Sequence, residues 1–366
     1  MAHNARSMRS LSIDTVEDQT SALFTVGPGS LHSTMTSLVG GLRMAQEFKH
    51  QPVLRDEVTE LFTPVPTGVI VDATLGGAGH SEALLEARSD IGILGLDRDE
   101  TALRAAGRRL GVFGSRVVMQ HARFSAISRI VEQGRQGVTP WPHVSGTDEP
   151  LGVAGILADL GVSSPQIDSA ERGFSFSQDG PFDMRMDESQ GMTASAFLDQ
   201  VTLDELTAIL RENGEGRFAR RIAKALLEAR PVSTTQEVVD VVDRAVPKAN
   251  RRRGHVASRV FQAFRISVNS EMSELSTLLE AAVDLLIPEG RLVVISYHSG
   301  EDAMVKHLFR SWEAGGCTCP SHLPCVCGAV SLGTVLTKRA VVASDDEIAA
   351  NPRARSARLR CFEVAS

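Results

Sequence analysis

A short β-branched run, Val69-Ile70-Val71, leads directly into Asp72-Ala73-Thr74-Leu75-Gly76-Gly77-Ala78-Gly79-His80 and then into the helical pattern Ser81-Glu82-Ala83-Leu84-Leu85-Glu86-Ala87. Strand, glycine-dense turn and helix in that order leave bare backbone and unpaired N–H groups at one spot, where a nucleotide-like ligand can come close. Twenty positions after Gly77 a second apolar run, Ile91-Gly92-Ile93-Leu94-Gly95-Leu96, ends in Asp97. A carboxylate at the tip of the second strand can take both hydroxyls of a ribose. Alone the glycine turn is weak evidence; with Asp97 at this distance it predicts an adenosine-containing cofactor.

The same alternation continues. Strands are expected at 69–74, 91–97, 116–121 and 153–160, and helices at 79–88, 99–110 and 124–134, which implies a parallel sheet with helices on both faces. After Asp159-Leu160-Gly161 the pattern is helical or irregular for about a hundred residues. Thr202 with Glu205, and Thr234 with Glu237, have capping-box spacing, and Pro231 and Pro247 stop helices. A helix at 271–286, a turn at Pro288-Glu289-Gly290 and a strand at 291–296 then resume the alternation. The chain therefore divides into a flexible extension (1–46), an α/β domain (47–165 and 256–366) and an inserted helical domain (166–255). The insertion leaves from the strand edge where open sheets bind ligands, so it is placed to act as a substrate lid.

Bulk properties constrain the function less. The chain has 366 residues, 42% hydrophobic and 23% charged, and no apolar stretch approaches the roughly 18 residues of a membrane span. A start at Met44 is conceivable, and Asp14, Glu17 and Asp18 argue against a cleaved targeting peptide. Five cysteines, an odd number, suit a reducing cytoplasm better than a disulfide framework. The net charge of −7 argues against a surface that grips nucleic acid everywhere. Its distribution still leaves Arg244, Lys248, Arg251, Arg252, Arg253 and Arg259 in one acid-free run, and a stripe of Arg217, Arg220, Arg221 and Lys224 on one helix. These can hold phosphates; the plainer reading is a solvated helix face.

Three further segments carry candidate chemistry. Asp159-Leu160-Gly161-Val162-Ser163-Ser164-Pro165-Gln166 puts a carboxylate on a strand tip ahead of small hydroxyls and a proline-set turn. Arg172-Gly173-Phe174-Ser175-Phe176 and Gly180-Pro181-Phe182-Asp183-Met184-Arg185-Met186-Asp187 combine aromatics with an Asp/Arg pair. They make either a base-stacking, edge-reading pocket or a packed loop whose phenylalanines fill the insertion's core. Cys317-Thr318-Cys319-Pro320 and Cys325-Val326-Cys327-Gly328, with His322 between them, make either a tetrahedral zinc site or free thiols and a labile disulfide.

His50-Gln51-Pro52-Val53-Leu54, the 72–80 turn, Asp97-Arg98-Asp99, Asp159 to Gln166, Gly180 to Asp187 and Ser296-Tyr297-His298-Ser299-Gly300-Glu301-Asp302 together resemble the bacterial MraW/RsmH family. The resemblance runs from about Phe48 to Val364 and ends with Asn351-Pro352-Arg353-Ala354-Arg355-Ser356. It implies a Rossmann-like class I methyltransferase fold, with a mostly parallel seven-stranded sheet and an inserted helical domain. It also implies S-adenosyl-L-methionine as cofactor, and as substrate N4 of a cytidine in the decoding region of 16S ribosomal RNA, with either the free rRNA or the assembled small subunit as partner. Family cofactor contacts carried over fall on Ala78, Gly79, His80, Asp97, Phe124, Asp159 and Gln166, and Gly77 of the same turn is a further cofactor-binding candidate. Gly300 stands where Leu is expected, Tyr297 where Phe is more usual, and Ala78 where some members carry a glycine or polar residue; no chemical group is lost.

Asp159 is the first candidate to hold the N4 protons or the cofactor amine, followed by Ser163 and then His298, for which helix capping is the competing role. Phe182, Asp183, Arg185, Arg217, Arg220 and Arg251 to Arg253 are the RNA-side candidates. No metal is required for methyl transfer, and a monomer or homodimer without membrane contact is expected. The rival readings are an NAD-dependent oxidoreductase, which Asp97 would suit but the Gly76-Gly77-Ala78-Gly79 spacing does not, and a non-catalytic RNA-binding assembly factor.

Overall fold

The computed structural model describes residues 52–147, 149–248, 255–317, 319 and 326–366. The sheet expected from the alternation is present. Its strands are β1 (Gly68–Asp72), β2 (Ile91–Asp97), β3 (Val117–His121), β4 (Val153–Asp159), β5 (Leu286–Ser296), β6 (Gly333–Val335) and β7 (Arg358–Val364). They lie in the order β3-β2-β1-β4-β5-β7-β6, parallel through β5, with β7 antiparallel to both β5 and β6. β1 is buried throughout, and β2 and β4 are buried up to their terminal aspartates, because helices cover both faces.

On one face lie α1 (Arg55–Phe62), α2 (Gly79–Ala87) and α3 (Glu100–Leu110), packing Val58, Phe62, Leu84 and Leu110 onto Ile70, Ile93 and Leu157. On the other lie α4 (Ile127–Arg135), α11 (Glu271–Leu285) and α12 (Ser299–Glu313), packing Ile130, Leu278 and Phe309 onto Val71, Leu94 and Ile156. The strand order reverses between β1 and β4, so the tips of β1, β2 and β4 diverge around a crevice.

The expected turn at Pro288-Glu289-Gly290 is absorbed into β5. Val153 pairs with Leu286 but Gly155 with Arg291, and Glu289 takes φ 64°, so the extra residues form a bulge instead of ending a helix-to-strand link.

Between β4 and α11 come a short α5 (Ser164–Asp168) and then α6 (Ala194–Gln200), α7 (Leu203–Glu212), α8 (Ala219–Glu228), α9 (Thr235–Ala245) and α10 (His255–Asn269). Both expected capping boxes form, at Thr202/Glu205 and Thr234/Glu237. These helices share an apolar cluster separate from the sheet's two, built on Leu206, Ile222, Leu226, Val238 and Val242. Val256, Val260, Phe261 and Phe264 of α10 join it, so the helical core reaches past the expected boundary at residue 255. The α10 sequence places apolar residues on the face that meets α7 and α9, not on one that meets the sheet. Residues 1–46 lie outside the described residues.

Candidate active site

A cleft of about 430 Å³ opens at the tips of β1, β2, β4 and β5. Its wall draws on nearly the whole described chain, from Pro52 and Val53 to Asn351, Arg353 and Ser356. The Leu54 N–H donates to Glu347 Oε1 at 2.8 Å, which ties the two ends of that wall together; Glu347 lies in α13 (Asp345–Ala350).

The glycine turn is held open by backbone conformation. Gly76 sits at φ +51°, where a side chain is disfavoured, and its N–H donates to Asp97 Oδ2 at 2.7 Å. Gly79 opens α2 under Pro52, whose ring lies 3.0 Å from where a Cβ would stand. Ala78 has φ 61° and is fully buried in the apolar cluster below, so it shapes the turn and does not line the cleft, whereas Gly77, Gly79 and His80 do line it. Asp97 Oδ1 accepts the Asp99 N–H at 2.8 Å. Each Asp97 oxygen thus has one N–H partner and a spare acceptor site facing the cleft. Burial, opposed by those two N–H groups, pushes its carboxyl above the ordinary range. Phe124 closes the same side, 9% exposed and edged into the cleft from the start of the turn before α4.

At the tip of β4 the Asp159 N–H donates to Thr74 Oγ1 at 2.6 Å, which fixes the carboxylate beside the glycine turn. Asp159 Oδ1 accepts from the Tyr297 hydroxyl at 2.8 Å, and Oδ2 lies 3.7 Å from His80 Nε2, too far for a hydrogen bond. His80 is 6% exposed and neither ring nitrogen has a hydrogen-bond partner. A buried, unpaired imidazole is costly unless a ligand completes it. Below it, Asp72 accepts from Ser81 Oγ at 2.6 Å, and burial pushes its carboxyl up to about 6. Tyr297, the one tyrosine in the chain, is held well above its usual value of 10 by burial and then by Asp159, so its phenol stays protonated and donates. Sequence reading quoted Tyr297 within a family motif and as a departure from it, and gave it no chemical role. Its pairing with a residue 138 positions away has no local signal.

Ser163 and Gln166 are less free than their positions suggest. The Ser163 hydroxyl caps α5 by accepting the Gln166 N–H at 3.4 Å, and Gln166 Oε1 accepts the Ser163 N–H at 3.0 Å. Gln166 Nε2 donates to Asp99 Oδ2 at 2.9 Å, and Arg172 Nη1 reaches the same oxygen at 2.8 Å. Arg172 Nη2 also donates to the carbonyls of Arg185 and Met186, both at 3.0 Å. Asp99, whose other oxygen caps α3 at Thr101, is therefore a node joining the nucleotide half to the 172–187 loop. Both residues line the cleft, but their side chains chiefly brace it.

The remaining candidates divide. His298 caps α12: its Nδ1 accepts from the N–H groups of Gly300 and Glu301, at 3.2 and 3.4 Å, and Nε2 lies 3.1 Å from Glu301 Oε1 without hydrogen-bond alignment. It is absent from the cleft wall, which takes Tyr297 and Glu301 instead, so the catalytic reading of His298 gives way to the capping one.

Phe182 is 1% exposed and meets Phe264 edge-to-face at 5.0 Å; it is core, not a stacking platform. Asp183 and Arg185 form a two-pronged pair at 2.8 Å, and although burial raises the Asp183 carboxyl, Arg185 wins and holds it low. Neither belongs to the cleft wall, to which this loop contributes Met186.

Arg220, Arg221 and Lys224 are exposed on α8, whereas Arg217 lies before its N-cap Phe218 and so outside the helix expected to carry all four; Arg217 is also exposed and stacks on Phe218 at 5.2 Å, and Arg220 pairs with Asp204 at 2.9 Å. Arg259 binds the buried Glu215, so it does not belong to a free basic run, and Arg251, Arg252 and Arg253 lie outside the described residues.

Sequence reading also missed a buried ion network at the mouth. Arg265 of α10 donates to Glu271 of α11 at 2.8 and 2.9 Å, and with Glu301 both line the cleft. Asn269 Oδ1 accepts the Met186 N–H at 2.8 Å, and Arg98 Nη1 donates to the Asn269 carbonyl at 3.0 Å. No signal in the individual segments could have paired them.

A doubly wound sheet with an antiparallel β7, a carboxylate on the β2 tip, and a glycine turn beside an acidic β4 tip together define a Rossmann-like methyltransferase. The chain belongs to the MraW methylase family, whose model matches residues 47–365. It is 48% identical over 322 residues to the ribosomal RNA small subunit methyltransferase H of Geobacter sulfurreducens, covering 86% of this chain and 99% of that protein. It is 45% identical over 323 residues to the protein of the same name from Heliobacterium modesticaldum, covering 86% and 98%. Among solved structures, an rRNA methylase from Streptococcus thermophilus aligns over 85% of this chain and 94% of its own at 11% identity and a TM-score of 0.34, too loosely to bear on the site. Family membership removes the oxidoreductase alternative. Among the described residues, no helix is long and apolar enough to cross a membrane.

Proposed function

We propose that this protein uses S-adenosyl-L-methionine to methylate N4 of a cytidine in the decoding region of 16S ribosomal RNA, in the cytoplasm. The observation that carries the reading is the convergence of three incompletely satisfied groups on one cleft: Asp97 with spare acceptor sites, His80 with two orphan nitrogens, and Asp159 with one oxygen unpaired. An adenosyl sulfonium fits this set, with its ribose on Asp97, its adenine against Phe124, and its amino-acid end toward the 76–80 turn and His80. Two full-length relatives carry rRNA methyltransferase names.

When bound, the cofactor supplies an already activated methyl group, so the protein has little covalent work to do. What it must supply is alignment and an acceptor for the amine protons, because the cytosine amine lone pair is delocalised into the ring. Asp159 Oδ2 is that acceptor, or else it holds the cofactor's ammonium. Tyr297 fixes Oδ1, and a donor at Oδ1 turns the free oxygen toward the cleft. The base has to leave its stack to arrive there. The insertion, joined to the cleft through Met186, Arg265 and the Asp99 node, is the substrate-recognition element, with Arg217 and Arg220 facing the RNA backbone.

The test is mass spectrometry of 16S rRNA nucleosides from cells with and without the gene, joined to transfer of labelled methyl in vitro. Loss of N4-methylated cytidine is expected, and its persistence sinks the reading. Labelled transfer also excludes an assembly factor that merely kept the fold. Asp159→Asn decides between the two Asp159 roles. A fall in kcat of about a hundredfold at unchanged cofactor KM marks the amine acceptor, whereas a comparable rise in cofactor KM marks the ammonium holder.

A further inference from the structure

The loop between α12 and β6 contains chemistry that methyl transfer does not use. It links Glu313 to Gly333, a length of connection that is uncommon without some internal tie. Among the described residues of the loop apolar packing does not provide that tie, since Val326 and Val330 are 87% and 75% exposed. Its neck is nevertheless closed tightly. The Gly316 N–H donates to the Ser311 carbonyl at 2.9 Å, the Cys317 N–H to the Ala314 carbonyl at 3.0 Å, and the Leu332 N–H returns to the Trp312 carbonyl at 3.0 Å. At Gly315, in the left-handed region at φ +60°, a Cβ would stand 2.2 Å from the Val330 carbonyl oxygen, so the outgoing and returning limbs cross there.

Just beyond that crossing, the Sγ atoms of Cys317, Cys319 and Cys327 all lie within 4.8 Å of one another. Cys317 and Cys319 are half-buried and Cys327 is exposed. The Cys319 N–H donates to Cys317 Sγ at 3.4 Å, an interaction that favours a thiolate on that sulfur. Thiolates about 2.3 Å from a tetrahedral zinc stand roughly 3.8 Å apart, a separation that falls inside the 4.8 Å within which all three sulfurs lie, and one disulfide could join only two of them.

We propose that Cys317, Cys319 and Cys327 bind a zinc ion as thiolates, making a structural clip for this loop that is separate from the catalytic cleft. Each thiol releases its proton to solvent as the metal enters, and water or one further donor completes the tetrahedron. Cys325 lies outside the described residues, and the three-thiolate set does not depend on it. The role is structural because the cleft wall includes none of these residues.

The full-length protein, purified without chelator, is expected to carry about one zinc per chain, released stoichiometrically when a mercurial titrates the thiols. In Cys317→Ser/Cys327→Ser the zinc content should drop at least roughly tenfold, with binding of S-adenosylhomocysteine unchanged. If that variant fails to fold, wild-type protein stripped by the mercurial, reduced and reloaded with cobalt should show the intense absorption of a tetrahedral thiolate complex. Zinc below about a tenth of an equivalent, zinc unaltered in a folded variant, a cobalt spectrum without thiolate bands, or a disulfide in the intact mass under non-reducing conditions would each overturn the clip. None of these readouts depends on methyl transfer.

Discussion

The turn from Asp72 to His80 and the loop from Arg172 to Asp187 look alike as sequences, each a short stretch crowded with glycine, charge and polar side chains. In the folded protein they behave oppositely. Around the turn, polar groups are left incomplete: His80 has no hydrogen-bond partner and Asp97 keeps acceptor sites toward the cleft. In the loop nearly every group is committed internally. Asp183 holds Arg185, Arg172 holds Asp99 and two carbonyls, Asn269 holds Met186, and Phe182 fills the helical core. Motif density marks where a fold is demanding, and only the residual hydrogen-bonding capacity separates a ligand site from a brace.

The contrast can be attacked directly, beginning with the largest effect. Phe182→Ala should cost about 4 kcal/mol of unfolding free energy while leaving cofactor affinity in the folded fraction intact. A weakened cofactor site at preserved stability would give the ring a ligand role after all. Asp97→Ala should do the reverse: a loss of about 3 kcal/mol in cofactor binding, roughly a hundredfold by calorimetry, from removing charged acceptors for two hydroxyls. Affinity within threefold of the parent would remove the ribose assignment.

Asp72 gives the turn a pH signature. Its folded value of about 6 lies above the ordinary 3.8, so the native state holds this proton more tightly than the unfolded chain does. The resulting stabilisation is complete below 3.8 and is lost as pH rises through about 6, a change of about 3 kcal/mol between pH 3.8 and 7. Denaturant titrations of Asp72→Asn should lack that slope; an identical slope in the variant assigns it elsewhere. The smallest effect is expected at the basic residues around the start of α8. Arg217→Ala/Arg220→Ala should weaken RNA binding evenly across sequences and flatten the salt dependence by about 2 in the log–log slope, with cofactor affinity unaltered. An unchanged slope returns these arginines to a solvated face.

Much of the scaffold was legible because it is written in local periodicity. The buried strands read as continuous apolar runs ending in Asp97 and Asp159, and the two capping boxes fixed helix starts inside the insertion. β7 was not read from its own pattern. Arg360 is buried within it, paired to Asp302 at 2.7 Å, and a charge at a core position masks the signature of a strand. The site's charged rim was illegible for a related reason. Tyr297 with Asp159, and Arg172 with Asp99, are tertiary pairings whose members are unremarkable alone. For His298 the sequence left acid–base group and helix cap side by side, because an imidazole after a strand tip serves equally as either; the direction of its Nδ1 shows the cap.

The cleft's wall takes in Pro52 near one end of the described chain and Asn351, Arg353 and Ser356 near the other, and the Leu54–Glu347 hydrogen bond joins those ends. During synthesis the nucleotide half emerges early, yet the cup lacks part of its rim until the 351–356 segment has left the ribosome and docked. A half-made chain therefore offers the small molecule a cup open on one side.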